Sequence, residues 1–453
     1  MKIPFLRASA MCLGWLAAAL FLLLDTPMTI ALLHAGASPW DWTSASPESQ
    51  GISSQKLDAL KDDLAVRKTK AFLVLHDDKL IYEWYAPDHS AMKPHYTASM
   101  AKAIVGGLAL GVAMSDGRIS LDDKAANFIP QWNNHPMKSR ITIRHLGSHT
   151  SGIQDAWNKQ VAAAGADDET ISGWEGDFWR WRKRDVGKPD DAFTLSRDTT
   201  PVMFEPGTRW AYSNPGIAML DYCVAAALKD APQKDIRTLL RDRVMQTIGV
   251  ADGEWSCGYG KTETVDGLPL VASWGGGSFT ARAVARIGRL MLREGNWEGQ
   301  QLLTAEAVRQ ITSDAGTPGP NGMGWWSNND GHITALPSDA FWGAGAGAQV
   351  VLVVPSLKLV AVRSGESLDT GDNNLGLEKY FFMPLAQVFR PRRGSCFRKA
   401  SEKANNSSAT RPRAKLTAML HYPAIAAWAG GPMPSGGAPS CPSPRILWLG
   451  TAD

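Results

Sequence analysis

Cysteine is scarce in this chain: five in 453 residues, none in a Cys-x-x-Cys pair. That removes the usual cysteine-built zinc site. No His-Glu-x-x-His occurs, so a zinc peptidase of that kind is excluded. His76-Asp77-Asp78 is explained by a hairpin turn, and neither a metal nor a cofactor is expected. No serine carries glycines on both sides as G-x-S-x-G, which excludes the nucleophile elbow of α/β-hydrolases. Internal repeats are absent.

A strong charge of one sign is also missing from the body of the chain. The formal net charge of +3 comes from residues 390–453, where 10 Lys and Arg face 2 Asp and Glu. The preceding residues hold 37 against 42 and are mildly acidic. Nucleic-acid binding by the folded part is therefore not expected. With 44% hydrophobic and 20% charged residues, the composition is that of a globular protein.

The ends differ from the body. MKIPFLR followed by ASAMCLGWLAAALFLLL, with AGA at 35–37, reads as a secretory signal cleaved after Ala37 or as a retained membrane anchor. Either reading implies export to the periplasm or cell envelope, with membrane anchoring through the N-terminus left open. Segment 391–453 is basic and rich in Pro, Gly and Ser, without amphipathic period, and reads as a disordered tail. Residues 38–390 are left as one catalytic-sized domain. Cys12 falls in the leader and Cys396 and Cys441 in the tail. Cys223 and Cys257 could pair outside the cytoplasm, although Cys223 within DYCVAAAL reads more simply as a small buried apolar residue.

Within the body, SSQKLDALKDDLAVRK predicts a helix capped by Ser53 or Ser54, with Leu57, Leu60 and Leu64 on one face. AFLVLHDDKLIYEWY predicts a β-hairpin. An apolar helix follows from TASMAKA (97–103) and closes at Asp116-Gly117. After a Trp-rich middle come a helix over ARAVARIGRLMLREG, two strands in AQVVLVVP and LKLVAVRSG, and a last helix in NNLGLEKYFFMPLAQVF. Helix and hairpin first, strands and helix last, predict an α+β fold. One antiparallel sheet would be built from both ends of the chain and flanked by helices, with the middle inserted as a mostly helical lobe.

The chemistry centres on Ser99, with Lys102 one helical turn later. Spacing alone decides nothing, because Ser53 and Lys56 share it where a cap and a solvated charge suffice. A serine hydroxyl needs a base, and a lysine serves only if its pKa falls from about 10.4. A helper is therefore required. Tyr212, in RWAYSNPG, is the only one of 8 tyrosines that begins a Tyr-x-Asn, here with Asn214. Its phenol, drawn toward phenolate near Lys102, would take the serine proton, and the Asn214 amide would bind substrate or Lys102. Free N–H groups at the helix start would hold an oxyanion.

SMAK, the Tyr-Ser-Asn loop and ITIRHLGSHTSGI (141–153) resemble the serine β-lactamase and D,D-peptidase superfamily. The likeness is greatest to class C β-lactamases, family VIII carboxylesterases and 6-aminohexanoate-dimer hydrolases. WGGGSFTARAVARIG (274–288), GMGWW (322–326) and GAGAGAQVVLVVP (343–355) extend it, in order, over residues 45–390. The resemblance implies Ser99 as nucleophile, Lys102 and Tyr212 as shared general base, and Asn214 as substrate-binding amide. It implies no catalytic role for His149 in HTSG. The family's third motif falls at Gly343-Ala344-Gly345, lining the substrate site, with Ala346 giving the second oxyanion N–H beside that of Ser99.

Here the chain departs from the family pattern, because Gly343 stands where a Lys or His is usual. Without that cation a substrate carboxylate loses a charge-assisted hydrogen bond of about 1.5–3 kcal/mol, whereas an uncharged ester or amide loses nothing. The resemblance thus points to an esterase or amidase acting on small molecules. A β-lactamase or D,D-peptidase, and a non-catalytic penicillin-binding envelope protein, are the alternatives. Among 18 tryptophans, Trp157, Trp174, Trp179, Trp181, Trp325, Trp326 and Trp342 fall near the expected cleft, where an aromatic wall would suit an apolar acyl or alkoxy group. Core packing is the commoner role for any one of them. Trp342 is placed among the substrate-binding residues. Oligomeric state is not legible.

Overall fold

The computed structural model describes residues 41–155, 177–182, 191–368, 370 and 373–389. The leader 1–37, the tail 391–453, Cys12, Cys396, Cys441, Trp157 and Trp174 lie outside the described residues.

Helix α1, Ser54–Val66, starts where Ser53 caps it: the Ser53 side chain accepts the Lys56 N–H. Leu57, Leu60 and Leu64 form its buried face, and the Lys56 amine reaches the Gln387 carbonyl at 3.1 Å. Both members of that Ser-x-x-Lys are thus spent on local structure. Strands β1 (Thr69–His76) and β2 (Lys79–Tyr85) make the hairpin, turning at Asp77 and Asp78, both with positive φ. Two left-handed residues at a two-residue connection match the twist of the flanking strands.

Helix α2 spans Ala98–Ser115 and ends at Gly117, whose φ is 66°. It begins as a 3-10 turn, loosens to π geometry over Lys102–Gly107 and becomes α over Leu108–Ser115. Its length and apolarity would suit a membrane span, but most of it is buried inside the protein. Helix α3, Asn214–Ala227, is the main helix of the inserted middle. Helix α4, Ala281–Leu292, returns the chain to the sheet.

Four strands complete the sheet: β3 (Trp326–Ser327), β4 (Phe341–Gly345), β5 (Gln349–Val354) and β6 (Leu359–Gly365). The order is β3-β4-β5-β6-β1-β2, every pair antiparallel, so the two ends of the chain meet at β6 and β1 (Leu73 opposite Val362). Helix α5 runs through Asn373–Leu377 and Glu378–Phe382 to Met383–Phe389.

Period two assigns the faces. Phe72, Val74, Val350, Leu352 and Val354 pack under α1 and α5 with Leu57, Phe381 and Leu385. On the other face α4 crosses so closely that a Cβ on Gly288 would meet Val360 and Val351. Such two-sided cover explains why β5 reads as an unbroken apolar run. The fold is the expected α+β arrangement, with α2 packed between β4 and the inserted helices.

Candidate active site

Three segments deliver the site. Ser99 lies in the first turn of α2, directly after Ala98, whose φ of 46° is left-handed. That conformation costs an L-residue about 1–2 kcal/mol, and such strain is tolerated where neighbours impose it. One restraint is the Thr97 N–H bond to the Gly277 carbonyl at 2.9 Å. A small ribbon, with Ser278–Phe279 between His95–Tyr96 and Trp255–Ser256, fixes the same junction.

Lys102 is 3% exposed. Its amine stands 3.2 Å from Ser99 Oγ, 2.7 Å from Asn214 Oδ1 and 2.6 Å from the Trp274 carbonyl oxygen. Burial drives its pKa from the ordinary 10.5 down to about 7, against the opposing pull of Asp155 and Asp221. As a neutral amine it has two hydrogens, enough for Asn214 and Trp274, and its lone pair then faces the serine hydroxyl. This is the geometry of a base.

Asn214 is positioned by the start of α3. Ser213 caps that helix, accepting the Gly216 N–H at 2.9 Å while its hydroxyl donates to the Ile153 carbonyl at 2.7 Å. Asp155 Oδ2 accepts both the backbone N–H (2.6 Å) and the side-chain Nδ2 (2.7 Å) of Asn214. Trp179 Nε1 donates to Asp155 Oδ1 at 3.0 Å. Because the side-chain nitrogen of Asn214 donates to Asp155, its amide oxygen faces Lys102.

Tyr212 is hydrogen-bonded to Ser99, and its ring lies beside the lysine, whose Nζ is 4.7 Å from the ring centroid. Burial raises the phenol's pKa above its usual 10, which favours the protonated phenol at neutral pH. His149 packs against that ring (centroids 4.6 Å apart) and accepts the Ser213 N–H at Nδ1, 3.2 Å away. Burial, then the nearby lysine, push its pKa down to about 3, so it is neutral and serves as a wall for Tyr212.

Strand β4 closes the other side. A Cβ on Gly345 would press into the Thr97 carbonyl and come within 2.8 Å of Met100 N and 3.0 Å of Ser99 N. Only glycine fits there. Ala346 follows at once, in a turn held on three sides. Asn373 Nδ2 donates to the Gly345 carbonyl (3.1 Å) and its Oδ1 accepts the Ala348 N–H (2.6 Å). Arg363 donates to the carbonyls of Gly347 and Ala348, and Gln349 to that of Ala346.

Two placements differ from expectation. Gly343 does not open on the cleft: a Cβ there would meet Ala103 Cβ at 2.9 Å and Met100 Cγ at 3.4 Å. The room a cationic side chain would need to leave the strand is filled by α2. Trp342 points to the opposite face, in the core under α5, its ring 5.3 Å from that of Phe382. Adjacent strand residues face opposite ways, so glycines facing α2 at 343 and 345 send Trp342 away from it. Trp325 is likewise buried, against Gly107 of α2, and Trp326 stacks toward Trp210 at 6.2 Å.

An aromatic cluster of different membership is present. Trp181, Trp274 and Tyr259 cluster with centroids 5.5–6.3 Å apart, joined by Phe178 and Phe193. Tyr259 sits flat on Gly276 with left-handed backbone (φ 53°), bringing its hydroxyl beside Gly275. Cys223 and Cys257 are separate buried thiols, so the pairing reading fails and the packing reading of Cys223 holds. Asp155, Asp221, Ser273 and Trp274 were not singled out by the sequence. An aspartate inside the apolar run IAMLDYCVAA was the one available signal.

Comparison with known proteins places this site in context. The beta-lactamase family profile matches residues 58–372. A 6-aminohexanoate-dimer hydrolase of Paenarthrobacter ureafaciens is 23% identical over 297 residues, 62% of this chain and 70% of that one. Among solved structures, a protein of Bacillus anthracis assigned as a 6-aminohexanoate-dimer hydrolase superposes with a TM-score of 0.54 at 19% identity, covering 78% of this chain and 88% of its own. A family VIII carboxylesterase gives 0.52 at 16% identity, covering 74% and 99%. At these identities the structural likeness is one of fold.

Proposed function

The chain belongs to the beta-lactamase family of serine hydrolases, and from that premise we propose that it hydrolyses uncharged carboxylic esters or amides through an acyl-enzyme on Ser99. The observation that carries this reading is the buried Lys102 amine, brought to a pKa of about 7 and standing 3.2 Å from Ser99 Oγ.

Lys102 takes the hydroxyl proton as Oγ bonds to the carbonyl carbon, and the displaced electron pair moves onto oxygen. The N–H groups of Ser99 and Ala346 receive that oxyanion. On collapse the leaving alkoxide or amine takes a proton from Tyr212, which is refilled from the Lys102 ammonium. Water then attacks the ester of Ser99 by the same route reversed, releasing the acid and restoring the serine. Asn214 fixes the amine and presents its polar edge to substrate.

The preference for uncharged substrates rests on Gly343, whose side-chain direction is blocked by Met100 and Ala103. A charge-assisted hydrogen bond to a substrate carboxylate is missing there, about 1.5–3 kcal/mol or tenfold and more in rate. The ester hydrolysis named for the family VIII carboxylesterase suits the same inference.

The test compares kcat/KM for a short p-nitrophenyl ester with that for a chromogenic cephalosporin. The ester is expected to lead by about tenfold or more. Dominant cephalosporin turnover would contradict the substrate preference, and stable acylation without turnover would favour a penicillin-binding role.

A further inference from the structure

Behind the lysine lies a second buried acid with no part in the scheme above. Asp221, two turns into α3, is 1% exposed. Its carboxyl accepts the Ser273 backbone N–H at 2.8 Å on Oδ2 and the Ser273 hydroxyl at 2.5 Å on Oδ1. Ser273 is the residue before Trp274, whose carbonyl receives the Lys102 amine at 2.6 Å. The contact layer is tight: a Cβ on Gly106, one turn beyond Lys102 in α2, would strike Ser273 Oγ and lie 3.7 Å from Asp221 Oδ1. Helix α3, the 273–274 peptide and α2 are therefore locked through this one carboxyl.

A buried carboxyl is expensive, and a fold that needed only packing here would use an apolar residue. We propose that Asp221 is a positioning residue for Lys102: it anchors the Ser273–Trp274 peptide whose carbonyl aims the amine at Ser99. This rests on Lys102 being the base of the proposed function.

The electrostatic surroundings are few. Lys102 feels Asp155 from the segment after His149 and Asp221 from within α3, both raising its pKa. His149 faces the lysine as a neutral ring, and Tyr212 as a neutral phenol. Asp221 itself is faced by Lys102, by Cys223 of its own helix and by Cys257. Both thiols are pushed up by burial and carry no charge near neutrality. Burial raises Asp221 to about 8, so it and the lysine, at about 7, exchange preference for a proton in the same range.

The sign of the effect follows. Where the pair shares one proton, the ionised form of Asp221 favours the ammonium, so without it the base form of Lys102 persists to lower pH. The experiment is the pH profile of kcat/KM for a p-nitrophenyl ester in wild type, Asp221→Asn and Ser273→Ala. Asn keeps an acceptor for Ser273 but no charge, and should move the acidic limb down by about 0.5–1 pH unit and lower kcat about tenfold. Ser273→Ala strips the hydroxyl that stabilises the carboxylate and should move it the same way by less, which keeps the test open if Asp221→Asn does not fold. A wild-type limb near neutrality that neither variant moves would overturn the role of Asp221 alone. A wild type with no such limb would instead overturn Lys102 as the base.

Discussion

The amine of Lys102 lies 2.7 Å from Oδ1 of Asn214, and Asn214 can offer only that oxygen because both of its hydrogen-bonded N–H groups go to Asp155. The chain Asp155–Asn214–Lys102–Ser99 therefore has one direction. Asparagine here places a neutral acceptor beside the lysine, which leaves its pKa free to fall. Replacing Asn214 by Asp puts a carboxylate against both Lys102 and Asp155. The acidic limb of kcat/KM should then rise by a pH unit or more, as an adjacent opposite charge favours the ammonium. Thermal stability should fall through repulsion of the two carboxylates, read in the same preparation by calorimetry.

In wild type, the active form of Lys102 is the one without its extra proton. With a folded pKa of about 7 against 10.5 ordinarily, the ammonium is lost as pH rises through neutrality. The rate should climb with unit slope below about pH 7 and level above it. A profile flat from pH 5 to 9 would remove Lys102 from the proton path.

Gly345 tests the approach of β4 to the nucleophile. In Gly345→Ala the added methyl would overlap the Thr97 carbonyl and crowd Ser99 N. Overpacking of this kind costs about 1–3 kcal/mol of stability. A shifted oxyanion donor should cost about a hundredfold in kcat. Steady-state kinetics with KM little changed is the expected signature.

The two Ser-x-x-Lys spacings provide an internal control. Ser53→Ala removes a cap from α1 and should cost about 1 kcal/mol of stability while kcat stays within twofold. Ser99→Ala should abolish turnover with stability nearly intact. Denaturant melts and ester assays on the pair separate the roles.

Much of this architecture was readable because it follows from local chemistry. The cap at Ser53, the Asp77-Asp78 turn, the apolar α2 and the strand pair around Pro355 each carry a signal within a few residues. Ser99, Lys102, Tyr212 and Asn214 were found together because their order along the chain is that of a known family. Trp342 was misplaced because its size outweighed the two-residue period that turns it from α2. Asp155 and Asp221 escaped notice for a different reason. Each acts through a partner more than 50 residues away (Asn214 for one, Ser273 for the other), and nothing local announces such pairing. Nor does sequence reveal that Gly343 is blocked rather than vacant, since Met100 and Ala103 reach it from another element.

The central claim is that Ser99 carries the acyl group. Intact enzyme treated with a fluorophosphonate probe, digested and read by mass spectrometry, should show one adduct, on the peptide holding Ser99, appearing in step with loss of esterase activity. Labelling at another residue as activity is lost, or full activity in Ser99→Ala, would contradict it.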